Sequence, residues 1–138
     1  MVVMKNRKKL VYKYVVVIFI ILVIAAVHLF RVGSYLDGVY YQYYYGYFSD
    51  IVVPFGMYFL LCMNDLRFVF LRKWTVKCLL VFGFASITEI MQAFGVPILG
   101  RTFDPLDFVM FGIGVITAAL IEKQLFERIF PFWSPENA

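Results

Sequence analysis

Apolar residues fall into four long runs along this chain, and each run is closed by charge or by glycine and proline. The first, "YKYVVVIFIILVIAAVHLF" over 12–30, is broken only by Lys13 near its start and His28 near its end. The second is centred on "DIVVPFGMYFLLCM" and predicts a helix over about 48–64, with Pro54 and Gly56 inside it. The third covers 74–94 and contains Glu89 and Gln92, and the fourth, "LDFVMFGIGVITAALI", predicts a helix over 106–122. A helix needs about 20 mostly apolar residues to cross a bilayer, and proline and glycine are tolerated there because neighbours satisfy the freed backbone groups. The pattern therefore predicts an all-α, polytopic membrane four-helix bundle, one domain over 1–138, with an interfacial tail over 124–138. The first run exceeds the roughly 7–15 residues of a cleaved signal's apolar core, and no A-x-A pattern follows, so it reads as a retained anchor.

Composition sharpens this. The chain is 63% hydrophobic and 16% charged, against about 45–50% apolar and about 25% charged in soluble domains. Two cysteines cannot complete a zinc site, and no phosphate-binding or hydrolase motif occurs, so no cofactor or metal is expected. Eleven of the thirteen lysines and arginines fall on one side of the four-span arrangement, leaving Arg31 and Arg101 on the other. Basic residues stay on the cytoplasmic side during insertion, which predicts both termini inside a plasma membrane. The net charge of +4 then reflects topology and contact with membrane lipid, and no nucleic-acid partner is expected. Cys62 and Cys78 fall near the cytoplasmic ends of adjacent spans, where thiols stay reduced and pack as small apolar groups.

Between the first two runs lies "SYLDGVYYQYYYGYFSD", holding seven of the ten tyrosines. It reads as an outer loop whose rings form an interfacial belt, with a stacking platform for a sugar as the sharper reading. His28 reads as an interfacial hydrogen bonder.

Against this apolar background, 88–114 concentrates Glu89, Gln92, Arg101, Asp104 and Asp107. A carboxylate at the bilayer centre costs about 2.5–3.5 kcal/mol or more, so such groups face the bundle or a wet cavity. Glu89 and Gln92 are three apart and share one helix face, which Ser86 extends inward. Asp104 before Pro105 reads as an N-cap with proline at the first helical position and Asp107 at the third. Capping leaves Arg101 and Glu89 unexplained. The five residues read as an outward polar site in which Arg101 can grip a carboxylate or phosphate.

These residues also resemble a known family. "E-x-x-Q", then "R-x-x-D-x-x-D", then a glycine-bearing apolar helix, is similar to the VanZ-like family of small bacterial membrane proteins, named for an accessory protein of teicoplanin resistance. The resemblance carries onto Glu89, Gln92, Arg101, Asp104, Asp107 and Gly114. It extends to the second run through Asp50, Phe55, Tyr58 and Phe59, which makes Asp50, Tyr58 and Gly114 accessory positions. The chain departs from the pattern at Ile51 and Pro54, where the family has Lys and His, and at Phe111, where it has Asn.

Three functions remain open on this reading. The first is a non-enzymatic envelope protein that binds or shields an anionic or glycosidic outer-leaflet ligand, either a cell-wall precursor or a glycopeptide. The second is a membrane scaffold, which could be a homo-oligomer, in which the polar cluster only locks helices together. The third is a membrane enzyme with Glu89 or Asp107 as general base. The non-enzymatic readings lead.

Overall fold

The computed structural model describes residues 2–98 and 102–134. They form four long helices: α1 Val2–Leu29, α2 Val39–Cys62, α3 Trp74–Ala93 and α4 Pro105–Ile121. Single 3-10 turns at Val32–Tyr35 and Val69–Arg72 join α1 to α2 and α2 to α3. After Ile121 the last helix widens into a π-type turn over Glu122–Phe126 and closes with one α turn, Glu127–Ile129. No strand occurs among the described residues. All four helices are long and apolar enough to cross a membrane.

The helices run up and down. Lys13, Asp65, Lys77, Glu122 and Trp133 meet at one end, here the terminal end, because it receives the start of α1 and the close of α4. The distal end holds the α1–α2 and α3–α4 connections. The tight core lies toward the terminal end: Val17, Tyr58, Phe59, Cys62, Val81, Val115, Ala118, Ala119 and Trp133 form one buried cluster. The distal half is packed more openly and holds the cavities described below.

The closest pairing is α2 against α4. A methyl group on Gly114 would stand 2.2 Å from the Ile51 carbonyl oxygen, so only glycine lets the two backbones meet there. Without a hydrophobic force between helices in lipid, such small-residue contacts are what bring helix backbones together. By contrast, α1 is apolar nearly all round and packs chiefly on α2. Val11, Val15, Ile18, Phe19 and Leu22 stay exposed, as suits a helix facing lipid.

Two expected segments differ. The tyrosine-rich stretch is not a loop, because α2 begins at Val39, nine residues before the expected 48. Rings four apart stack along the helix surface: Tyr44 lies 4.4 Å from Phe48, Tyr41 lies 4.6 Å from Tyr45, and Tyr43 pairs more loosely with Tyr47. The tail is not a plain surface helix either. Pro131 ends it, the chain turns, and Trp133 folds back to full burial between Lys13 and Phe59.

Candidate functional site

At the distal end three helices bring carboxyls together. Asp104 caps α4 as its neighbours predict: Oδ1 accepts the Leu106 N–H at 2.9 Å, with Pro105 in the first helical position. Glu89, near the end of α3 and only 2% exposed, accepts the Asp104 backbone N–H with Oε1 at 2.8 Å. The Tyr47 hydroxyl donates to Asp104 Oδ2 at 3.2 Å. Asp50 and Asp107 face each other across α2 and α4, their carboxyls within hydrogen-bonding reach.

These groups line two neighbouring cavities. One, of about 170 Å³, lies between α2 and α3 with Asp50, Thr88, Glu89, Gln92 and Phe111 in its wall. The other, of about 430 Å³, opens beside the α3–α4 connection and is lined by Gln42, Tyr43, Tyr47, Thr102, Asp104 and Asp107. Pro54 lines the smaller cavity and has no N–H for the Asp50 carbonyl one turn back, leaving that oxygen as an additional acceptor. Phe111 makes the cavity floor apolar.

The expected site residues therefore separate into groups. Glu89, Asp104, Asp107 and Asp50 converge. Gln92 lines the smaller cavity, but its amide also donates to the Ile98 carbonyl at 3.2 Å, steadying the connection. Ser86 lies on the same face with its hydroxyl buried and unpartnered among the described residues. Gly114 acts through helix contact rather than at the cavity. Arg101, on which anion binding was expected to turn, lies outside the described residues. Tyr58 is not at this end at all.

Tyr58 belongs to a second polar constellation, at the terminal end, that the sequence reading missed. Lys77 Nζ sits 2.5 and 2.7 Å from the two oxygens of Glu122 and donates to Cys62 Sγ at 3.3 Å. The Tyr58 hydroxyl donates to Glu122 Oε2, and Trp133 Nε1 donates to Oε1 at 3.3 Å. Beside it, Lys13 Nζ reaches Asp65 Oδ2 at 2.5 Å and the Trp133 carbonyl at 3.1 Å. Burial pushes the Asp65 carboxyl above the usual carboxylate range, against the pull of the Lys13 ammonium. Glu122 opens the π-type turn, so the wider winding occurs where this carboxylate enters the bundle. Both cations here are buried and paired with carboxylates, with only Asp65 Oδ1 left without a hydrogen bond among the described residues, which marks the constellation as a helix lock. Cys62, expected as a plain apolar filler, is hydrogen-bonded within it.

Among the described residues no group of three or more metal-binding side chains has the geometry to hold an ion. No known protein family, characterised protein or solved structure matches the chain.

Proposed function

We propose that this chain is a four-span plasma-membrane protein, both termini cytoplasmic, whose outward cleft binds the glycosidic part of an outer-leaflet envelope ligand. The orientation rests on the basic residues: the terminal end carries eleven of thirteen lysines and arginines, and insertion keeps such residues inside. The distal cavities then face outward.

One observation carries the binding reading. Asp50, Glu89, Asp104 and Asp107 come from α2, the end of α3 and the start of α4, and they converge on two cavities, with no ion pair to any of them among the described residues. A wall of carboxyl acceptors flanked by Tyr43 and Tyr47 suits a ligand rich in hydroxyl donors with an apolar ring face, as a sugar is. Any anionic part of the ligand would fall to Arg101. The VanZ-like resemblance of these same positions supports the same class: a cell-wall precursor or a glycopeptide.

Purified protein titrated with teicoplanin, and separately with a lipid-linked disaccharide, tests this. Wild type binds at least one of them, and Asp50→Asn with Asp107→Asn lowers the affinity about tenfold or more while the protein accumulates normally. Equal affinity in both proteins would remove the reading. A second reading, the scaffold, is favoured by the Glu89–Asp104 hydrogen bond, which ties α3 to the start of α4.

A further inference from the structure

The geometry points to a second ligand site, independent of the acidic cleft: a pocket between the end of α1 and the first half of α2 that holds the phosphodiester of an anionic phospholipid.

The pocket is a built feature. His28, in the last turn of α1, donates from Nδ1 to the Ile24 carbonyl at 2.9 Å, and its Nε2 pairs with the Ser49 hydroxyl at 3.1 Å. Its ring also leans on Phe48, so the imidazole is pinned between the two helices. The chain then leaves α1 through Arg31, the one non-glycine residue with positive φ among those described, at φ 49° and ψ 49°. L side chains rarely adopt that region, and such strain persists only where surrounding contacts impose it. Here they do. The Ser34 N–H and hydroxyl both donate to the Arg31 carbonyl, at 2.8 and 2.7 Å. Gly33 packs on the Tyr44 ring so closely that a methyl group would stand 2.1 Å from it.

The strained turn brings Arg31 to the wall of a cavity of about 130 Å³, shared with His28, Tyr44, Tyr45, Phe48 and Ser49. None of the four carboxyls of the cleft lines it. Arg31 makes no ion pair among the described residues. The carbonyls at the end of α1, which would oppose an anion, are partly occupied: Ala26 and His28 accept the N–H groups of Phe30 and Arg31 at 2.9 and 3.2 Å. A guanidinium holds phosphate oxygens in two places, and tyrosine hydroxyls can donate to the remainder. The flank is apolar. Leu29 and Phe30, the two residues before Arg31 in the chain, are 79% and 71% exposed and offer apolar surface to an acyl chain. A cation at a helix end with an exposed apolar flank matches a phospholipid better than a free ion, and an unpaired positive charge favours a lipid with net negative charge over a zwitterion.

The test uses the full chain, delipidated in detergent and re-equilibrated with equal amounts of phosphatidylglycerol and phosphatidylcholine, with retained lipid read by native mass spectrometry. Wild type retains phosphatidylglycerol in preference to phosphatidylcholine. Arg31→Gln lowers the bound fraction about tenfold, while Arg67→Gln, at an exposed arginine of the terminal end, leaves it unchanged. Should Arg31→Gln fail to accumulate, Arg31→Lys serves: it keeps the charge, loses the two-point grip and retains an intermediate fraction. Equal retention of the two lipids, or of phosphatidylglycerol by wild type and the Arg31 variant, would overturn the proposal. Displacement of the lipid by millimolar inorganic phosphate would overturn the lipid assignment, because the site would then recognise the phosphate alone.

Discussion

Lys77 and Glu122 stand 45 positions apart in the chain, yet the ammonium lies 2.5 and 2.7 Å from the two carboxylate oxygens, joining the first turn of α3 to the close of α4. Both side chains are buried. Removing one partner strands the other charge in the bundle, which costs about 3–5 kcal/mol, whereas replacing both with neutral groups of similar size is often close to neutral. Lys77→Met should therefore lower the melting temperature in detergent sharply, and Lys77→Met with Glu122→Gln should recover most of the loss. A double variant as unstable as the single one would show that the pair is not what holds these helix ends.

Gly114 gives a sharper packing test. A methyl group there meets backbone, the Ile51 carbonyl oxygen, which cannot swing aside as a side chain would. Gly114→Ala should cost about 1–3 kcal/mol by overpacking and loosen α2 from α4, read as faster proteolysis and a lower melting temperature. Gly112→Ala, two positions away, is the control. Its methyl would lie 3.9 Å from Phe82, an ordinary contact, so it should be neutral.

The contrast between these residues shows what could be read in advance. The four long helices were legible because a helix able to cross lipid needs a long apolar run, and the Asp104 cap because capping is decided within four residues. The Lys77–Glu122 pair was not, since a lysine near a span end reads as an orientation marker. Nothing local says that its charge turns inward. The available signal was depth: Glu122 directly follows the fourth run, and Lys77 lies one turn inside the third, at the same end of the bundle. Trp133 was misplaced for a related reason, because an aromatic beyond the last span reads as an interfacial anchor until its N–H is seen to have a buried acceptor. The tyrosine stretch reads as a loop because polar hydroxyls lower its apolar pattern, although rings at four-residue spacing fit a helix.

Orientation is open to direct measurement. With Cys62 and Cys78 replaced by alanine, single cysteines at Asp37 and Ile98 should react with a membrane-impermeant maleimide in intact cells. A cysteine at Phe70 should react only after the membrane is opened. All three native residues lie in connections or beside them, and Ile98 and Phe70 are exposed. Reversed labelling at two of the three would invert the topology and place the carboxyl cleft on the cytoplasmic side.

Glu89 separates the binding reading from the scaffold reading. Its Oε1 accepts the Asp104 N–H at 2.8 Å, and that hydrogen bond needs only an acceptor oxygen, which glutamine also has. Glu89→Gln should therefore melt within about 0.5 kcal/mol of wild type. Glu89→Leu removes the acceptor and should cost about 1–3 kcal/mol, the usual penalty for leaving a buried N–H unsatisfied. Stability alone does not discriminate, since both readings share the hydrogen bond. Ligand binding does. If the cleft is a site, Glu89→Gln folds as wild type yet loses affinity for the sugar ligand, because the carboxylate facing the cavity has become a weaker, neutral acceptor. If the residue is only a lock, Glu89→Gln is silent in stability and in ligand affinity alike, and only Glu89→Leu is affected. A stable Glu89→Gln that keeps full ligand affinity would thus return the distal cluster to a structural role.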